Sequence, residues 1–96
     1  MLRYKKIRVG SGYIEALSIK LLSKNFILLK GSRGYVMCGY LDLKAAEKFK
    51  DVAVKILGVS SIGQALRAKV YSCSLSAKRL GIYKGQPVRE VLRIVV

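Results

Sequence analysis

Arg33-Gly34-Tyr35-Val36-Met37-Cys38-Gly39-Tyr40-Leu41-Asp42-Leu43 reads as a turn, a short strand with a thiol at its end, and the start of a helix. Arg33 and Gly34 close a turn that opens at Gly31. Tyr35–Cys38 is apolar and extended in character. Asp42 is a good N-cap, because its carboxylate can accept bonds from the free N–H groups of a first helical turn. Strands therefore precede this stretch and helices follow it. That order points to an α+β domain rather than an alternating α/β one.

Upstream, residues 3–9 read as a strand whose cations Arg3, Lys5, Lys6 and Arg8 fall on both faces. Gly10-Ser11-Gly12 is a turn. Tyr13–Leu22 alternates, with Ala16, Ser18 and Lys20 opposite Glu15, Leu17, Ile19 and Leu21, and the larger apolar set places Leu17 in the core. Ser23-Lys24-Asn25 is a short hairpin loop, and Phe26–Lys30 is the returning strand. With Tyr35–Cys38, these runs form an antiparallel meander in the N-terminal half.

Downstream, Leu43, Ala46 and Phe49 share one helical face, with Lys44 and Lys48 away from it. Val52–Val59 reads as a strand covered on both sides. Ser61-Ile62-Gly63-Gln64 fits a capping box, and Lys69–Ser72 a short edge strand. Leu75–Leu80 is a short helix stopped by Gly81. Pro87 opens a last helix, with Val88, Val91, Leu92 and Val95 as its apolar stripe. The expected architecture is one α+β domain over 1–96: the meander, then a mixed sheet covered by short helices from the C-terminal half.

RGYVMCG at 33–39 and LDL at 41–43 resemble the signature of the YunC-like family, domain of unknown function 1805. AKRLGI at 77–82, Gly85 and PVREVLRIV at 87–95 add a second, more generic match. The resemblance implies an α+β fold and a motif cysteine at Cys38, flanked by Met37, Gly39 and Asp42. It implies no established reaction.

The balance of charge is unusual for a soluble enzyme. Nineteen Lys and Arg face five Asp and Glu, a net charge of +14. Thermal adaptation adds Lys and Glu together, but here Glu15, Glu47 and Glu90 are the glutamates. The cations cannot all be paired internally. Such a chain is relieved of self-repulsion by a polyanion. Half of the residues are apolar, which suits one packed core. No apolar stretch approaches the ~20 residues needed to cross a bilayer. Without a secretory leader pattern, Cys38 and Cys73 are expected as reduced thiols in the cytoplasm.

Histidine is absent. That removes the commonest general base and metal ligand, and with them any Cys-His or Ser-His pair within the chain. Two cysteines thirty-five positions apart make no zinc signature. No P-loop occurs, and Gly10-Ser11-Gly12 lacks the third glycine of a dinucleotide fingerprint. No cofactor or metal is expected.

Cys38 is the sharpest chemical candidate, because a thiol near a helix start and among cations is more often the thiolate. Its alternative is a small buried hydrophobe. Asp42 reads as a helix cap first. Gly31-Ser32-Arg33-Gly34 places Lys30 and Arg33 at a turn whose backbone donors could meet an anion. Six tyrosines are interleaved with Lys and Arg, and bases stack on exposed rings for roughly 1–3 kcal/mol each. The candidate nucleic-acid contacts are Arg3, Lys5, Lys6, Arg8, Lys30, Arg33, Lys44 and Lys48.

These features favour a small, basic, cytoplasmic module that binds RNA, ribosomal RNA included, without catalysis. One alternative is a thiol-dependent small enzyme or redox protein centred on Cys38. Another is a homo-oligomeric scaffold, since so apolar a small chain can leave an exposed patch.

Overall fold

The computed structural model describes residues 2–96. Its centre is a six-stranded sheet in which spatial order follows chain order. The strands are β1 (Leu2–Val9), β2 (Gly12–Lys20), β3 (Asn25–Lys30), β4 (Tyr35–Met37), β5 (Ala53–Lys55) and β6 (Ser72–Cys73). β1 to β4 form the expected antiparallel meander. β5 lies parallel to β4, and β6 returns antiparallel, so the sheet is mixed. The helices are α1 (Leu43–Lys48), α2 (Ile62–Leu66), α3 (Leu75–Arg79) and α4 (Val88–Val95). The α+β reading is thus the fold observed.

Side chains paired across strands share a face. One row crosses five strands as Ala16, Leu29, Val36, Val54 and Cys73, all buried. Ile14 and Ile27 flank it. The stripe Val88, Val91, Leu92 and Val95 of α4 closes over this face, with Ile62 and Ala65 of α2 beside it. A smaller cluster sits on the other face, where Leu41 and Ala46 cover Ala53, Met37 and Tyr35. Helix α1 therefore shields the β4–β5 end of that face.

Several local expectations are corrected. Leu17 does not lie in the core: Ile14, Ala16 and Ser18 are the buried set of β2, and Leu17 and Ile19 are only half-buried on the opposite face. Phe49 is exposed, because α1 ends at Lys48 and Lys50 takes a left-handed φ of 58° that turns the chain away. The strand expected over 52–59 pairs only at Ala53–Lys55, matching the three residues of β4. The edge strand sits at Ser72–Cys73, while Lys69 bridges to Pro87 instead.

The caps follow the sequence closely. Asp42 accepts from the N–H groups of Lys44 and Ala45 at 3.0 and 3.3 Å. Ser61 accepts from Gln64 N–H at 3.1 Å, and Gln64 Oε1 accepts from Ser60 N–H, one residue earlier than a strict capping box. Ser74 is buried yet fully used: it donates to the Asp51 carbonyl at 2.7 Å and accepts from the N–H groups of Ala53 and Ala77. One serine therefore joins α1's exit, β5 and α3.

Candidate functional site

The face of the sheet away from α4 is open across β1, β2 and β3. Its rows are read from the strand register. Leu2, Ile19 and Phe26 form the first, and Tyr4, Leu17, Leu28 and Met37 the second. Lys6, Glu15, Lys30 and Tyr35 form the third, and Arg8 and Tyr13 the fourth. The face divides into an uncharged half and a basic half. In the basic half Lys6, Arg8, Lys30 and Tyr13 are exposed, and Tyr35 is half-buried.

The candidate cations are not all gathered. Lys6, Arg8 and Lys30 share this surface, although Arg8 Nε also donates to the Gly10 carbonyl at 3.2 Å. Arg3 and Lys5 project to the other side of β1. There they line a hollow of about 830 Å³ with Ser18, Asn25 and Ser61. Lys44 and Lys48 are exposed on α1, the helix that rises beside the open face.

Arg33 belongs to a different structure. The central backbone donors of its turn are taken up by α4: Arg33 N–H donates to the Val95 carbonyl at 2.9 Å and Ser32 N–H to Val96 O at 3.4 Å. Ser32 Oγ donates to the same Val96 oxygen at 2.6 Å. The turn thus satisfies carbonyls left open at the end of α4, as such groups must be. A Cβ at Gly31 would overlap the Val95 carbonyl, and one at Gly34 would lie 2.7 Å from Val52. These glycines serve close packing rather than an anion cradle.

Cys38 lies just past β4 on the core face and is 4% exposed. It lines a cavity of about 650 Å³ together with Lys24, Asn25, Gly39, Tyr40 and Ser60. Its Sγ accepts from Ile27 N–H at 3.4 Å. Asn25 Nδ2 donates to the Ser60 carbonyl at 2.5 Å, fastening one wall. Nothing in the sequence singled out Lys24, Asn25, Tyr40 or Ser60 as neighbours of the thiol. The β2–β3 hairpin brings Lys24 and Asn25 there, the parallel pairing of β4 with β5 brings Ser60, and Tyr40 follows Cys38 by two residues.

Among the described residues two groups have shifted proton affinities. Burial, then the bond its hydroxyl donates to Asp51 Oδ2 at 2.9 Å and the charge of that carboxylate, push Tyr35 up to about 12. Burial also raises the Cys73 thiol, with Lys78 opposing and Glu47 reinforcing the shift. Glu47 itself accepts from Leu75 N–H with both carboxylate oxygens, at 3.0 and 3.1 Å. Among the described residues no group of three potential metal ligands occurs, and no helix is long and apolar enough to cross a membrane.

Residues 37–95 match the family described as Domain of unknown function (DUF1805). The chain is 35% identical over 96 residues to "Uncharacterized protein YunC" of Bacillus subtilis (strain 168), covering 96% of this chain and 95% of that protein. It is also similar to the crystal structure of TA1206 from Thermoplasma acidophilum, titled a protein of unknown function. The TM-score is 0.96 at 32% identity, over 100% of this chain and 94% of that one.

Proposed function

The chain belongs to the DUF1805 family, and we propose that this member is a small basic RNA-binding module of the cytoplasm, non-catalytic and associated with a ribonucleoprotein such as the ribosome. The observation that carries the reading is the basic half of the open face. It sets Lys6, Arg8 and Lys30 beside the exposed ring of Tyr13 on the sheet, with Glu15 between the two lysines. Sheets with surface aromatics offer unpaired bases a stacking platform, while neighbouring cations hold phosphates. The net charge of +14 supplies the long-range attraction. Lys44 and Lys48 extend the basic surface along α1, and Arg3 and Lys5 carry it around β1.

The test is salt-dependent binding to structured RNA. Each neutralised phosphate contributes about 0.9 to the slope of log affinity against log salt on a duplex, and about 0.7 on a single strand. A footprint of about five or six phosphates gives a slope of magnitude ~4–5. Reversing Lys6 and Lys30 should lower it by roughly one per lost contact. The deciding comparison sets RNA that copurifies from cells against unrelated RNA and heparin at physiological salt. No preference, together with no copurifying RNA, removes the reading.

A second reading draws on the cavity beside Cys38. There the protein would act through its thiol as a small enzyme or redox protein. Any base would have to be something other than histidine.

A further inference from the structure

The uncharged half of the open face is left over by the RNA reading. Leu2, Ile19, Phe26, Tyr4, Leu17 and Leu28 stand there in two rows across three strands, with Phe26 at the corner also packing against the main core and the other five outside both buried clusters. Leu2 is 64% and Tyr4 55% exposed. Tyr40 stands against Phe26, their ring centroids 6.2 Å apart, and is itself about half exposed. We propose that this half-face is where a second copy of the chain docks, sheet against sheet.

Charge decides the occupant. An acidic partner would seat on the basic half, where its carboxylates find Lys6, Arg8 and Lys30. The uncharged half offers such a partner no cation. For a second copy the situation is reversed, because most of a +14 surface repels it. These two rows are a place where two copies can meet with no cation facing a cation. A two-fold axis lying across the strands sets the uncharged rows against each other. It also carries the two basic halves to opposite ends of the pair. An isologous contact of this kind needs a self-complementary surface. Two sheet faces interdigitating at about 10 Å supply one.

The size is adequate for a reversible dimer. Three strands at about 4.8 Å and two rows along them give an apolar centre of roughly 14 Å by 14 Å. An interface surrounds its apolar centre with a polar rim. A rim about 5 Å wide, which on one side takes in the row of Lys6, Glu15 and Lys30, brings the patch to roughly 24 Å across, on the order of 600 Å² in projection, near the ~800 Å² per partner of a standard interface. The molecule measures 35 × 31 × 23 Å, so its broad face accommodates the patch.

Sedimentation equilibrium of RNA-free protein tests this from about 1 to 500 µM, at low and at high salt. The expected result is a reversible dimer that tightens as salt rises, because screening weakens the repulsion between two like-charged bodies. RNA binding must weaken over the same change, so failure of one reading is distinguishable from failure of the other. Leu17→Lys and Tyr4→Ser should each raise the dimer dissociation constant at least about tenfold, as expected for anchors near the centre of an interface. Their melting temperatures at concentrations where the wild type is monomeric check that each variant is folded. Tyr4 is exposed, so its replacement keeps the test available if Leu17→Lys does not fold. A monomer throughout at both salts, or an assembly indifferent to the folded substitutions, overturns the proposal.

Discussion

Ile27 and Cys38 hold each other twice. The Cys38 N–H donates to the Ile27 carbonyl at 3.1 Å, and the Ile27 N–H donates to Cys38 Sγ at 3.4 Å. The Cys38 carbonyl has meanwhile turned away to accept from Leu41 N–H at 3.0 Å. The sulfur therefore stands in for a backbone acceptor where the strand ends and the chain bends toward α1. Cys38→Ala leaves a buried donor unmet, and should cost about 1–3 kcal/mol in urea unfolding. The same burial makes alkylation of Cys38 in the folded protein slower than that of a free model thiol. A stability unchanged by Cys38→Ala, together with labelling as fast as the model thiol, would refute this bracing role.

The two faces of β2 and β3 should respond very differently to truncation. Leu29 is fully enclosed, and Leu29→Ala should cost on the order of 2–5 kcal/mol. Leu17→Ala, on the open face, should cost about 1 kcal/mol or less at concentrations where the chain is monomeric. Equal losses at the two sites would contradict the observed register.

Gly31 is constrained by its neighbour rather than by its own backbone. Gly31→Ala forces the turn away from the Val95 carbonyl, and should cost about 1–3 kcal/mol through that displacement. Gly10 has a φ of 61° and open space where a methyl group would stand, so Gly10→Ala should cost only the ~1–2 kcal/mol of the left-handed conformation. Hydrogen exchange separates the two. Gly31→Ala should speed exchange at the Arg33 amide and in the last turn of α4, whereas Gly10→Ala should leave both unchanged.

Tyr35 gives the fold an alkaline signature. Below pH 10 its hydroxyl is protonated in folded and unfolded chains alike, so the bond to Asp51 contributes in full. Between 10 and about 12 the unfolded chain releases that proton while the folded chain keeps it. Stability then falls as pH rises, and the contribution is gone above about 12. The advantage of wild type over Tyr35→Phe should be largest below pH 10 and shrink steadily above it. Paired denaturant curves across that range check the sign, and an advantage that widens with pH would rule the assignment out.

What could be read in advance was mostly local. Asp42, Ser61 and Pro87 mark helix starts through chemistry within four residues of themselves, and all three do so here. The meander was legible because short turns force neighbouring strands to pair. The choice of buried face was not legible on β2, since both faces are largely apolar and the larger side chains ended on the open one. Packing against α2 and α4 made that choice, and it involves residues more than forty positions away. The candidate site divided in the same manner. Lys6, Arg8 and Lys30 follow from strand alternation. The diversion of Arg33's turn to α4 depends on a contact between residues 64 positions apart.

That last contact bears on how the chain folds. The Ser32–Val96 bond closes a loop of most of the molecule, and the stripe of α4 supplies four of the side chains that shelter Ile14, Ile27 and Leu29. During synthesis the meander is complete long before residues 88–95 exist. Until they dock, its inner face is an apolar sheet exposed to water, and long-range closure of this kind is slow compared with local helix formation. A nascent chain of this protein therefore spends its most aggregation-prone interval waiting for α4.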